Sequence, residues 1–227
     1  MSERWNVDLH SHTLWSKDCL STFAHIAALC QRRGVDRIAI TDHNTADGAL
    51  AFQKIAPELV IVGEEIMTDE GEILAYFVRE TIPAGLTPME TIRRLRDQGA
   101  VISVSHPFDR LRKGAWGREA LERIADHVDA IEIFNARCIY REDNEQALMF
   151  AQQRGLIGTA GSDAHSAPEY GQAVTRLQPF QDAPSFLQAL HNAEYTKRLS
   201  PMYVHGFSTL AKWAKRLGLR PRQWPGG

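Results

Sequence analysis

Asp8-Leu9-His10-Ser11-His12 follows a short apolar lead, Trp5-Asn6-Val7, close behind the start of the chain. In an extended strand, side chains alternate faces with period two, which predicts Asp8, His10 and His12 on one side and Leu9 and Ser11 on the other. Two imidazoles on one face can grip a single metal ion. They supply only half of a four-ligand site, so the remainder must come from elsewhere in the sequence.

Working outward, acids and imidazoles recur near short runs rich in β-branched residues. They are Asp18, Thr41-Asp42-His43-Asn44, Gly63-Glu64-Glu65, Glu72, Ser105-His106-Pro107, Glu132 to Asn135, and Gly161-Ser162-Asp163-Ala164-His165. The strands expected beside them are 36–40, 59–62, 72–78, 100–104, 129–134 and 156–160. Helices are expected between them. One is capped by Thr22 or Ser21, runs to about Arg33 and ends at Gly34. Others cover 45–55, a stretch with Thr87 as cap and Pro88 at its first position, 118–127, and 141–154 closed by Gly155. Two more are expected at 184–193 and 206–217, before a loose tail over 220–227.

Strands alternating with helices predict an α/β fold with a mainly parallel sheet. Seven strands with polar clusters at their carboxyl ends predict a closed (β/α) barrel, whose chemistry sits at that face. An open doubly wound sheet would have to bring seven strand ends to one switch point. The turn Asp69-Glu70-Gly71 is too short for a helical crossover, so the barrel should be irregular there. No linker or repeat divides the chain. It reads as one domain over 1–227, with 170–227 as a helical extension packed on the barrel.

Composition narrows the function classes. The 227 residues carry a net charge of −2, with no case for general nucleic-acid affinity. No 18-residue apolar run suggests a membrane span. The opening Met1-Ser2-Glu3-Arg4-Trp5 lacks the apolar core of a signal peptide, so a cytoplasmic location is expected. Cys19, Cys30 and Cys138 form neither a disulfide framework nor a thiolate zinc site.

These motifs together resemble the PHP family, named for polymerase and histidinol phosphatase, and above all its small stand-alone phosphoesterases. The matching signatures are Asp8-x-His10-x-His12, Thr41-Asp42-His43, Gly63-x-Glu65, His106-Pro107 and Gly161-Ser162-Asp163-x-His165. The resemblance implies a distorted (β/α)7 barrel, similar to a TIM barrel, holding two or three divalent ions (manganese, zinc, iron or magnesium). By the same resemblance, His10, His12, Glu65 and Asp163 correspond to ligands of a first metal. Glu65 would bridge to a second metal completed by His106, and Asp18, His43 and His165 correspond to a third site. The chain departs from the pattern twice: Glu72 stands where members often have histidine, and Asp18 where many do. A carboxylate at Glu72 favours a harder ion such as manganese or magnesium.

Four carboxylates, Asp18, Glu65, Glu72 and Asp163, only partly offset three divalent ions, which leaves a positive cavity suited to a phosphate dianion. A metal-bridging hydroxide is the expected nucleophile. His43 or His165 could protonate the leaving oxygen, with Asp42 orienting His43 or a neighbouring group. Arg137, Arg110 and Asn135 are the candidate substrate contacts; Arg112 and Lys113 share the loop of Arg110 and rank below it. Glu132, between Ile131 and Ile133, should face the barrel interior. The expected substrate is a small phosphomonoester, a nucleotide or a short oligonucleotide, and not duplex nucleic acid. Histidinol phosphate, or a C–N or ester bond as in the amidohydrolases, are the alternatives.

Overall fold

The β-branched runs become strands of one nine-stranded sheet in the order β7-β6-β5-β4-β3-β2-β1-β8-β9. The structure, a computed structural model, describes residues 4–219 and residue 221. The expected loose tail therefore lies outside the described residues, Pro221 excepted. Strand β1 (Trp5–Asp8) runs parallel to β2 (Arg37–Ile40), and β2 to β3 (Val60–Met67). Likewise β5 (Val101–Val104) is parallel to β6 (Ala130–Asn135), and β6 to β7 (Ile157–Gly161). Strand β4 (Glu72–Tyr76) is antiparallel to both its neighbours, which is the expected irregularity.

Three features differ from the sequence reading. Strand β3 does not stop at Gly63-Glu64-Glu65; it continues to Met67, because the hairpin with β4 pairs Gly63 with Tyr76 and Met67 with Glu72. Strand β1 ends at Asp8, so His10 and His12 lie just past it. The 170–227 segment is not only helical. It contributes β8 (Ala173–Leu177), antiparallel on β1, and β9 (Glu194–Lys197), antiparallel on β8.

These last strands explain how the ring is nearly closed. At their carboxyl ends β7 and β1 meet directly: Asp163 N–H donates to the carbonyl of His10 at 2.7 Å, and His12 N–H to that of Ala164 at 2.9 Å. Further down, β8 fills the gap. The Thr175 hydroxyl accepts from Ala160 N–H at 2.9 Å and donates to the Ala160 carbonyl at 3.0 Å.

Alternation along the strands sends apolar side chains to two cores. Val7, Ala39, Ile61, Leu74, Tyr76 and Val101 form one cluster with Leu177, Phe180 and Phe186. The intervening Ile38, Ile40, Val60, Val62, Ile73 and Ala75 join the helices in the other. Each large buried side chain contributes about 1.5–3 kcal/mol. The helices are α1 (Phe23–Arg33), α2 (Asp47–Ile55), α3 (Pro88–Asp97), α4 (Arg118–Ile124), α5 (Arg141–Arg154), α6 (Ala183–Leu190) and α7 (Val204–Arg216). The Thr22 and Thr87 hydroxyls cap α1 and α3 by accepting from His25 N–H and Glu90 N–H. None of the helices among the described residues is long and apolar enough to cross a membrane.

Candidate metal centre

The carboxyl ends of β1, β2, β3, β5 and β7 bring the sequence-identified acids and imidazoles to one place. His10, His12, Glu65, His106, Asp163 and His165 are all 3% exposed or less. His10 Nε2 lies 3.3 Å from Glu65 and 3.6 Å from Asp163, and His12 Nε2 lies 3.5 and 3.2 Å from the same two carboxylates. His106 Nε2 is 3.1 Å from Glu65 and 3.4 Å from Glu72. Asp18 Oδ1 is 3.5 Å from His43 Nε2 and 3.4 Å from His165 Nε2. Among the described residues, three sets each hold donor atoms within 4.8 Å of one another: His10, His12 and Asp163; His12, His43 and His165; His43, Glu65 and Glu72.

The hydrogen bonds around this cluster fix which ring nitrogen faces inward. His10 Nδ1 is 3.0 Å from Glu132 Oε1, so Nδ1 carries a proton and Nε2 is the nitrogen that faces the cluster. His165 Nδ1 is 2.8 Å from the Asp163 carbonyl, which can only accept. Ser16 Oγ donates to Asp42 at 2.6 Å, so it accepts from His12 Nδ1 at 3.1 Å. Three imidazoles therefore present Nε2 to the cluster, each backed by an oxygen on Nδ1, as metal-binding histidines are. The buried Nε2 of His10 and of His12, Asp18 Oδ1, Glu65 Oε2 and Asp163 Oδ1 find no hydrogen-bond partner among the described residues. Burying such atoms unpaired is costly. The donor set of imidazole nitrogens and carboxylate oxygens fits divalent ions.

The electrostatics agree. Burial opposes ionisation of Glu65 and Asp163. The charges of His10 and His43 nevertheless hold Glu65 well below the usual carboxylate range, and those of Arg112 and His10 do so for Asp163. Burial, with His165 and His43 alongside, keeps His12 neutral. His43 goes the other way: against burial, Glu65 and Asp18 push it up to about 9. Asp163 also sits in the left-handed backbone region, with φ 52°, a conformation concentrated at functional sites.

The remaining sequence candidates take other positions. Asp8 turns away from the metal-like cluster: it accepts from Ser162 N–H at 2.9 Å and Gly171 N–H at 2.8 Å, across the β1–β7 seam. Asp42 accepts from Thr13 and Ser16 and so reaches the ring of His12 through Ser16, rather than the ring of His43. The Arg137 guanidinium is buried, 3.1 Å from Glu169 and donating to Ser208 at 2.9 Å. Arg110 chelates Asp143 with Nε at 2.9 Å and Nη2 at 2.6 Å, and lies over the Tyr140 ring. Asn135 donates to Glu132 at 3.1 Å and to Asp163 at 3.2 Å.

Two cations reach the cluster that the sequence reading did not favour. Arg112 pairs with Asp163 because the loop after His106 folds back over the site. Lys212 of α7 lies 3.3 Å from Asp18. Periodicity predicted the helix but carried no signal of where it would dock.

Comparison with known proteins places the chain. It is 36% identical over 174 residues to an uncharacterised protein of Methanocaldococcus jannaschii, covering 75% of this chain and 70% of that one. A family model described as PHP-associated matches residues 141–195. The chain belongs to the PHP family. Among more distant relatives is the probable phosphatase YcdX of Shigella flexneri serotype 5b, 25% identical over 92% of this chain and 98% of that protein. The barrel is similar to that of a two-domain Bacteroides vulgatus protein containing a predicted PHP-like metal-dependent phosphoesterase (TM-score 0.70, 19% identity, 86% of this chain). This chain spans 65% of its length. It also resembles the lesion-specific endonuclease EndoQ of Pyrococcus furiosus, with TM-score 0.58 and 17% identity over 84% of this chain and 56% of that one.

Proposed function

We propose that this PHP protein is a phosphoesterase that hydrolyses a small phosphomonoester or nucleotide with the help of two or three divalent ions. One observation carries the reading: His10, His12 and His165 are each locked by an oxygen on Nδ1 so that Nε2 faces a cluster in which one oxygen of each of Asp18, Glu65 and Asp163 lacks a hydrogen-bond partner.

His10, His12, Glu65 and Asp163 would hold one ion, with Glu65 shared towards His106 and Glu72, and Asp18, His43 and His165 around a further position. Such ions supply positive charge for phosphate oxygens and make water acidic enough to attack at neutral pH. The protein's own groups do the rest. Asp42, through Ser16, and Glu132 hold the rings of His12 and His10 at fixed angles. With no ion at that further position, His43, which lines the mouth and is drawn toward its protonated form, is the group suited to give a proton to a leaving alkoxide. His165, with its proton fixed on Nδ1, is suited to coordination instead. Arg112, paired with Asp163, is the arginine best placed to turn to a phosphate. A net charge of −2 supports a small substrate over a duplex.

The test is a panel of phosphomonoesters, phosphodiesters and amide or ester substrates, assayed with added manganese and with a chelator. Turnover of phosphate esters that the chelator abolishes is the expected result. Hydrolysis confined to C–N or carboxylic ester bonds would replace this reading with an amidohydrolase one.

A further inference from the structure

A cavity of about 830 Å³ opens beside His43, lined by Leu14, Trp15, Lys17, His43, Asn44, Lys212, Lys215 and Arg216. Four of these carry fixed positive charge, and none is an acid, on a chain whose net charge is −2. Charge of one sign gathered in a concave surface concentrates ligands of the opposite sign. The helix that brings three of these cations is anchored. Lys215 Nζ donates to the carbonyls of Leu14 and Ser16, in the loop just after His12, and this ties α7 to the rim of the candidate metal centre. Lys212, one turn earlier on α7, reaches inward to Asp18 at 3.3 Å. Trp15, 37% exposed, lines the same cavity as Arg216 and Lys17.

We infer that this cavity is a second anion subsite, and that the substrate carries another anionic group a few bonds from the phosphate under attack. This rests on the phosphoesterase reading and narrows it. The phosphate under attack belongs with His10, Glu65 and Asp163, on the inner side of His43. Lys212, Lys17 and Arg216 line the cavity that opens beside His43, and Lys212 reaches from there to Asp18. Asp18 is a carboxylate that a bound cation would claim, and the Lys212 ammonium is then left to face the ligand. A substrate with one phosphate and an uncharged leaving group leaves these cations unused. One with a second phosphate or a carboxylate engages them.

The test uses two non-hydrolysable probes of matched length, 3-phosphonopropionate and propylphosphonate, titrated calorimetrically into the manganese-loaded protein. The expected result is that the carboxylate-bearing probe binds about tenfold more tightly, the equivalent of one well-placed charge contact. The double variant Lys212→Gln/Arg216→Gln should erase that ratio, and Lys212→Arg should keep most of it. Equal affinity of the wild-type protein for the two probes overturns the inference, as does a ratio untouched in a folded double variant. Discrimination between the probes without turnover of any phosphate ester would sink the phosphoesterase reading and leave the subsite standing. Turnover without discrimination would do the reverse.

Discussion

Glu132 holds two histidines at once: its Oε1 accepts from His10 Nδ1 at 3.0 Å, and its Oε2 accepts from the backbone N–H of His106 at 2.8 Å. A single carboxylate on β6 thus sets the angle of a ring on the β1 end and the position of the β5 end. Replacing it by Gln keeps the shape but puts an NH₂ group against one of those two donors. Removing such a supporting partner lowers metal affinity by about 10–100-fold. Metal content after dialysis, measured by elemental analysis of Glu132→Gln, checks this; retention equal to that of the wild-type protein counts against the role.

His12 and Asp163 are expected to be indispensable. His12→Ala and Asp163→Asn each remove a donor from the buried set His10, His12 and Asp163, in which the His10 Nε2, the His12 Nε2 and the Asp163 Oδ1 have no hydrogen-bond partner among the described residues. Both variants should retain less metal and lose phosphatase activity by at least about 100-fold, as for a group acting only through the assembled site. Circular dichroism would show whether the fold survives. A folded His12→Ala protein with full metal and activity would leave the proposed centre without support.

Gly161 closes the ring. A Cβ there would lie 2.4 Å from His10 Cβ and 2.7 Å from His10 N, both backbone-proximal atoms with no room to move. Gly161→Ala should therefore cost about 1–3 kcal/mol as an overpacked seam, read as a lowered denaturation midpoint, and should displace His10. An unchanged midpoint would mean that the β1–β7 seam is looser than its hydrogen bonds indicate.

Arg137 separates support from substrate binding. Its guanidinium lies against buried Glu169, which in turn accepts from His165 N–H at 3.2 Å. Arg137→Met leaves that carboxylate without its cation, at a cost of about 3–5 kcal/mol. Thermal denaturation should show the loss. The KM of the folded fraction should change little; a large rise in KM with an unaltered midpoint would make Arg137 a substrate contact after all.

Glu64 gives a pH dependence away from the cluster. Burial raises its carboxyl from 4.5 to about 8, although Ile82 N–H donates to it. In the folded state it keeps its proton up to about pH 8, while the unfolded chain loses it near 4.5. Folding therefore takes up a proton between these values, and stability falls as pH rises through the window. At about 1.4 kcal/mol per unit, the effect is a few kcal/mol. Glu64→Gln should be the more stable protein above pH 8, with the advantage gone below pH 4.5. Denaturant midpoints that track each other at every pH would refute this.

Much of this was legible in the sequence because strand ends are local. The runs before Thr41, Ser105 and Gly161 are short and β-branched, and the polar residues that follow can only lie at their carboxyl ends. Helix 141–154 was readable from its closing Gly155, which takes φ 67°. What stayed hidden depends on contacts between distant segments. The Glu64-Glu65 stretch looks like a strand end until β4 is paired alongside it. Strand β8 carries an exposed Arg176 in a five-residue run and shows no apolar face until β1 is beside it. Lys212 is one cation among several on a helix whose seat no period reveals, and Arg112 depends on how its loop folds back.

The place of β8 between β1 and β7 sets an order of events during synthesis. The first strand leaves the ribosome early, but the segment that covers its open edge, Ala173–Leu177, is translated only after most of the chain. Until then the nascent protein exposes an unpaired edge beside half-assembled histidines, a state open to aggregation and to premature capture of metal. A molecule halted before residue 173 would carry nearly all the groups of the centre and still lack the wall that holds them in place.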